Sequence, residues 1–281
     1  MTSVFPCDLC GSDEAVEAPY ARFYTNGQPI HICKACGFVY VRERRSAREI
    51  ARTWSEEIFG EGYTAAWPAV KARHKYVAEF VHNALDLSGK RLTEVGGGEG
   101  AFLDLVREYG AEPFGVEPSG NNCQAMRDRG IPCFQGTIEE YAASGQGRGK
   151  SDLAAVLWTV ENCMSCTDML AAVHDLLVDG GHVAVATGSR ILVPFKKPLN
   201  YYLSTNPADA HCFRFSANAL TGLLAVTGFE LAGMNRYIDT DYLVAIGRKR
   251  PKGTAIPWQG DDWRKVYDFF ERWHRETLHY L

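Results

Sequence analysis

From residue 69 onward the period of the apolar positions switches repeatedly, and each switch marks an element. Val70, Val77, Phe80, Val81, Ala84 and Leu85 recur at helical spacing and predict a helix over 69–87, ended by Ser88-Gly89. Residues 90–95 read as a short buried strand, and Phe102, Leu103, Val106 and Tyr109 mark a helix that Gly110 closes. Strands over 113–117 and 131–135 follow, with a helix over 124–129 between them and a short helix over 138–143 after them. Residues 144–150 read as an exposed loop. Residues 152–160, mostly apolar, read as a buried strand. Thr167 is placed to cap a helix to 178, and Asp179-Gly180-Gly181 turns the chain into a strand over 182–187.

Such alternation predicts an α/β fold with a doubly wound, mostly parallel sheet. The end of the pattern differs. Ser216 begins a helix carrying Leu220, Leu223, Leu224 and Val226, and two strands, 229–237 and 242–247, are joined only by Asp239-Thr240-Asp241. Strands linked by so short a turn must be antiparallel. Seven strands are expected in all, the last of them antiparallel. A final helix over 262–280, with Trp263, Val266, Phe270 and Trp273 on one stripe, follows a linker over 251–260 and reads as packing against the body.

The N-terminal stretch has a different logic. Cys7-Asp8-Leu9-Cys10-Gly11 and Cys33-Lys34-Ala35-Cys36-Gly37 are matching C-x-x-C-G knuckles. Each tight turn aims two thiolates at one point, so Cys7, Cys10, Cys33 and Cys36 are expected to hold a Zn2+ ion in a closed structural site. Between the knuckles, 20–24 and 30–32 can pair as strands around Asn26-Gly27. Arg22, His31, Arg42, Arg44 and Arg45 read as a solvated face in preference to a phosphate-binding one. Ser46-Ala47-Arg48-Glu49 is a capping box. Cys163 and Cys166 repeat the spacing without a partner pair, and Cys123, Cys133 and Cys212 stand alone; all five read as small buried thiols in preference to a second metal or redox site.

Between the first core strand and its helix lies Glu94-Val95-Gly96-Gly97-Gly98-Glu99-Gly100. Glycines there admit positive φ and a close ligand, and the following helix turns its N-terminus toward that ligand. Gly96, Gly98 and Ala101 also match a dinucleotide fingerprint. Two features tip the reading away from hydride transfer: Glu94 precedes the first glycine by two residues, and no tyrosine has a lysine four residues later. Glu117 ends the next strand, where its carboxylate can accept hydrogen bonds from ribose hydroxyls.

This E-x-G-x-G-x-G stretch resembles the first motif of class I S-adenosylmethionine-dependent methyltransferases, Rossmann-like enzymes whose parallel sheet also ends in an antiparallel hairpin. The resemblance spans 69–248. It implies S-adenosylmethionine as cofactor, held by Glu94, Gly96, Gly98, Gly100, Glu117, Pro118, Gly136, Thr137 and Trp158. Together with the cysteine ribbon and the His211 to Ser216 element, it is similar to the zinc-containing branch that includes sugar C-methyltransferases. That branch carries Tyr-x-Glu-His after its fourth strand, where this chain has Thr159-Val160-Glu161-Asn162, and it has a further C-terminal domain. Asparagine cannot act as that base. His211, in the long segment 188–215, is the first candidate for a base, with bracing of the loop as its alternative role, and Glu161 is placed to orient the cofactor's amine or the acceptor. Pro194, Lys196, Lys197, Pro198, Tyr201, Tyr202 and Arg214 line the same segment, and Tyr63 and Trp67 are placed to close over the cofactor.

Composition narrows the partners. A chain of 281 residues with a formal net charge of −4 is large enough for one medium domain plus a small module, and disfavours nucleic acid across its whole surface. The expected division is a zinc ribbon at 1–45, a connecting helix and aromatic segment at 46–68, a methyltransferase domain at 69–248 and a linker with the C-terminal helix at 249–281. No run approaches the roughly 20 apolar residues of a membrane span. Nine cysteines, an odd number, fit a reducing, cytoplasmic setting better than a disulfide framework. The expected function is methyl transfer to an O, N or C atom of a small molecule, a sugar or nucleotide sugar. An RNA base methyltransferase with a zinc module and a non-catalytic cofactor-binding scaffold are the alternatives, and the oligomeric state is left open.

Overall fold

The structure, a computed structural model, describes residues 3–53, 67–193, 198–199, 203, 211–236 and 238–280. The chain begins with β1 (Ser3–Val4), β2 (Ala15–Glu17), the single turn α1 (Ala21–Tyr24), β3 (His31–Cys33), β4 (Val39–Tyr40) and β5 (Glu43–Arg44). β3 pairs antiparallel with β2 and β4. The strand expected over 20–24 is thus a helical turn, and 15–17 takes its place beside β3. The reason is local: Tyr20 turns left-handed at φ 61, and the Thr25 hydroxyl donates to the Ala21 carbonyl at 3.0 Å, closing a turn that an extended strand cannot make.

Ser46 and Glu49 form the expected capping box on α2 (Ala47–Arg52). Next come α3 (Trp67–Leu85), β6 (Arg91–Val95), α4 (Ala101–Glu108), β7 (Glu112–Glu117), α5 (Gly120–Asp128), β8 (Cys133–Gln135), α6 (Ile138–Ala143), β9 (Ser151–Leu157), α7 (Cys166–Leu176) and β10 (Leu177–Thr187). β11 (Phe213–Arg214), α8 (Ala217–Val226), β12 (Phe229–Met234), β13 (Leu243–Lys249) and α9 (Trp263–Thr277) complete the order.

The main sheet has seven strands in the order β12-β13-β10-β9-β6-β7-β8. β6 to β10 run parallel, and β13 is antiparallel to both β10 and β12. Each central strand is covered on both faces because its side chains alternate. Ala154, Val156, Val183 and Val185 pack with Leu170, Val173, Leu220 and Leu224 on one side. Leu153, Ala155, Leu157, Ala184 and Ala186 pack with Val77, Val81, Phe102 and Val106 on the other. β6 sends its successor β7 to one side, while β9 lies on the other, so the topological switch falls between β6 and β9. Ligands of open α/β sheets bind above the carboxyl ends of strands at such a point.

Two expected boundaries move. The fourth core strand ends at Leu157, because Trp158 takes φ 53 and 160–162 coil into a 3-10 turn. Asp179-Gly180-Gly181 does not separate a helix from β10 but lies within it, as a register irregularity between Leu177 and His182 at which Gly180 has φ 73.

The N-terminal sheet acquires its fourth strand from far downstream: Phe213 of β11 pairs with Tyr40 of β4. Phe38 stacks on Phe213 with ring centroids 5.7 Å apart. The C-terminal helix also docks there, burying Val266, Phe270 and Trp273 among Ile30, Ile32 and Val39. No helix among the described residues is long and apolar enough to cross a membrane.

Candidate active site and cysteine centre

The glycine turn follows β6 directly. Gly96, Gly98 and Gly100 all have positive φ, at 69, 53 and 82. A β-carbon on Gly96 would meet Thr159 Oγ1 at 2.6 Å and one on Gly100 would meet Met126 Cγ at 2.8 Å, whereas the same position on Gly98 has nothing within 4 Å. Gly96 and Gly100 therefore let the turn sit tightly on the segment after β9 and on α5, and Gly98 presents bare backbone to open space.

Acids flank that turn. Glu94 is 2 % exposed and its Oε2 has no hydrogen-bond partner among the described residues. Burial, and then the nearby Glu117, push its carboxyl well above the ordinary range. Glu117 is organised differently. Its Oε2 accepts from the Gly98 amide at 2.9 Å, and its Oε1 accepts from the Ser119 amide at 2.9 Å and the Asn122 side chain at 3.4 Å. Oε2, with one donor, retains a lone pair for a further one. Burial raises this carboxyl too, against the lowering effect of those bonds. Behind Glu117, the Gly136 amide donates to its carbonyl at 3.0 Å. Thr137 caps α6 in a capping box with Glu140, and Pro118 is exposed at the corner. The side chain of Thr137 is thereby taken up by the cap.

Across the switch point stands the turn after β9. Trp158 Nε1, Asn162 Oδ1 and Glu161 Oε2 are buried without partners among the described residues. Glu161 Oε1 accepts from the Gly188 amide at 3.2 Å, and burial pushes its carboxyl up to about 7. Asn162 Nδ2 donates to the Trp158 carbonyl at 2.7 Å, which holds the turn's positive-φ residue in place. His211 leads into β11, which lies against the 160–162 turn. Arg214 Nη1 donates to its carbonyl at 2.8 Å. Burial, with Arg214 second, lowers the His211 imidazole to about 4, so it is neutral near pH 7. Pro194, Lys196, Lys197, Tyr201, Tyr202 and Tyr63 lie outside the described residues, as does the side chain of Trp67.

α3 adds two residues that the motif reading passed over. The Arg73 guanidinium lies 4.2 Å from the centroid of the Trp158 ring, and the His74 ring centroid is 5.2 Å from it. Arg73 Nε and His74 Nδ1 are buried without partners among the described residues. Burial, then Arg73, lowers His74 to about 3. The signal was there: His74 falls four residues after Val70 and three before Val77, on the stripe that faces the core.

Cys7, Cys10, Cys33 and Cys36 bring their sulfurs within 4.8 Å of one another, with Cys7 to Cys36 at 3.6 Å and Cys10 to Cys33 at 3.5 Å. A tetrahedral zinc with bonds of about 2.3 Å needs sulfur separations of about 3.8 Å. The donor set fits that ion. In each knuckle the glycine amide folds back, Gly11 to the Cys7 carbonyl at 2.8 Å and Gly37 to the Cys33 carbonyl at 2.9 Å.

A seven-stranded sheet of this order, with a glycine turn and paired acids at its switch point, defines an S-adenosylmethionine-dependent methyltransferase. The family model for the methyltransferase domain matches residues 70–232, and the chain belongs to that family. Among solved structures it is similar to the Burkholderia thailandensis 1,6-didemethyltoxoflavin-N1-methyltransferase bound to its substrate and S-adenosylhomocysteine, at 15% identity and a TM-score of 0.58, covering 76% of this chain and 96% of that one. It is also similar to an S-adenosylmethionine-dependent methyltransferase from Thermotoga maritima, at 18% identity and a TM-score of 0.53, covering 72% of this chain and 100% of that one. These likenesses concern the fold. No curated protein matches the chain in sequence.

Proposed function

We propose that the protein methylates a small acceptor, a sugar or nucleotide sugar, with the nucleoside of S-adenosylmethionine seated against the glycine turn. One observation carries the reading: Glu94 Oε2, Trp158 Nε1, Glu161 Oε2 and Asn162 Oδ1 are buried polar atoms without partners among the described residues, on the two strand ends that flank the switch point. A buried polar atom left unpaired costs about 1–3 kcal/mol, so several at one edge mark groups set aside for a ligand.

When bound, the cofactor supplies an already activated methyl group. The chain's own task is then alignment and exclusion of water. Glu117, fixed by Gly98 and Ser119, takes the ribose hydroxyls; Glu94 takes the cofactor's ammonium; and Arg73, a half-buried cation on the Trp158 ring, takes the cofactor's carboxylate. Glu161, poised near neutrality, orients the acceptor, and neutral His211 receives its proton where the acceptor is a hydroxyl. The cysteine centre holds zinc in a structural role, since four thiolates leave no open position. The small-molecule class is supported by the toxoflavin-type enzyme among the structural relatives, and the sugar class by the ribbon and His211–Ser216 element in the sequence.

The test is transfer of labelled methyl groups from S-adenosylmethionine to a panel of nucleotide sugars, free sugars and RNA. Label in a sugar supports the proposal. Label in RNA alone, lost as salt rises, overturns the acceptor class, and failure to bind S-adenosylhomocysteine overturns the whole reading.

A further inference from the structure

Two thiols without a part in methyl transfer meet behind the nucleoside cleft. Cys123 lies on α5 and Cys133 opens β8, and their sulfurs are 2.8 Å apart. We propose that this pair is an oxidative modification site, at which a peroxide joins the thiols as a disulfide and thereby weakens cofactor binding. The inference rests on Glu117 as the ribose acid.

The surroundings make the link consequential. Cys123 donates its S–H to the Glu117 carbonyl at 3.2 Å, the same carbonyl that accepts from the Gly136 amide at 3.0 Å. The donors that orient the Glu117 carboxylate, Ser119 and Asn122, sit at the start of the helix that carries Cys123. A disulfide brings the sulfurs to about 2.05 Å and removes the proton that Cys123 gives to Glu117. Drawing α5 toward β8 shifts the two carboxylate donors with it.

Exposure sets the order of events. Cys123 is fully buried, whereas Cys133 is only partly so and meets the oxidant first. The Cys133 sulfur attacks one oxygen of hydrogen peroxide; the O–O bond breaks, one water leaves and a sulfenic acid remains. The Cys123 sulfur then displaces the hydroxyl, the S–S bond forms, and the Cys123 proton leaves with that hydroxyl as a second water. Two thiols lose two electrons in total and the peroxide gains them. Burial pushes both thiols above their ordinary range, so the step is slow near neutral pH and quickens as the solution becomes alkaline.

The sequence supplies a direct readout, because Arg127 and Arg129 separate the two cysteines on trypsin digestion. The full chain with its zinc is treated with hydrogen peroxide at alkaline pH, digested and mapped by mass, and its affinity for S-adenosylhomocysteine is measured before and after. The expected result is a cross-linked pair of peptides holding 123 and 133, an affinity lowered about fivefold or more, as loss and displacement of hydrogen bonds predict, and recovery of both on adding dithiothreitol. Cys133→Ser should show neither change. Absence of the cross-linked pair overturns the proposal, as does a cross-link with unchanged affinity, or an equal loss in Cys133→Ser, which would trace to the zinc knuckles. The reduced Glu117→Ala variant separates the two readings: if it binds as wild type does, Glu117 is not the ribose acid, whatever the peptide map shows of the thiols.

Discussion

The Gly98 amide donates to Glu117 Oε2 at 2.9 Å, so the tip of the glycine turn and the acid ending the next strand form one braced edge. Glu117→Ala removes that brace together with the proposed acceptor for ribose. Gly98→Val forces a β-branched residue to φ 53 and projects it into the open face of the turn. Hydrogen bonds to a charged group contribute about 1.5–3 kcal/mol, so each variant should bind S-adenosylhomocysteine about ten- to a hundredfold more weakly. Calorimetric titration checks this, and unchanged affinity in both would contradict the placement of the nucleoside.

Arg73 is a half-buried cation resting on the Trp158 ring, and its Nε has no hydrogen-bond partner among the described residues. Arg73→Met keeps the apolar contact and removes the charge. Wild type should prefer S-adenosylhomocysteine over 5′-methylthioadenosine, which lacks the amino acid portion. The variant should lose about tenfold or more of that preference, in line with a charge-assisted bond, while its affinity for methylthioadenosine stays the same. A uniform loss for both ligands would remove Arg73 from the carboxylate.

Burial raises the Glu161 carboxyl from 4.5 to about 7. Since the folded state holds this proton more tightly than the unfolded chain, the contribution to stability is full below pH 4.5 and is lost as the pH rises to about 7. The loss is about 3 kcal/mol, at 1.36 kcal/mol per pH unit. Glu161→Gln should therefore be more stable than wild type at pH 8 and nearly equal at pH 4, while turnover falls. Chemical denaturation at the two pH values reads the difference; equal gains at both would place its origin in packing instead of charge.

Glu94 gives a second proton linkage. Burial holds its carboxyl well above the ordinary range, and a bound ammonium favours the ionised form, so cofactor binding should lower that pKa, release a proton wherever the free carboxyl carries one, and tighten as the pH rises. Titrations in buffers of different ionisation enthalpy measure that proton, and Glu94→Gln should abolish it.

The buried pair Arg44 and Asp8, 2.6 Å apart, clasps the first knuckle, and Arg44 also donates to the Met164 carbonyl at 2.5 Å. Arg44→Met should destabilise the protein by about 3–5 kcal/mol, because Asp8 is left charged and buried alone; the double variant with Asp8→Asn should recover part of that. Metal analysis should find one zinc per chain, and Cys33→Ser should lose it together with thermal stability.

Much of this was legible because it is local. The glycine turn, the capping boxes at Ser46 and Thr137, and the two knuckles are set by neighbours within a few residues, and the helical and strand periods mark which faces are buried. The strand expected over 20–24 failed for the same kind of reason, a single left-handed residue that the apolar pattern does not register.

What the amino acids determined alone was the α/β alternation, the antiparallel ending, the four-thiolate donor set and the acids beside the glycines. Only tertiary structure decided that 213–214 would complete the N-terminal sheet, that Arg73 and His74 would meet Trp158, and that Cys123 would face Cys133. Those contacts join positions on different elements, whose own neighbourhoods carry no sign of the partner. They arise because the chain must cover both faces of one sheet, and closing that core brings together whatever polar groups the covering elements happen to carry.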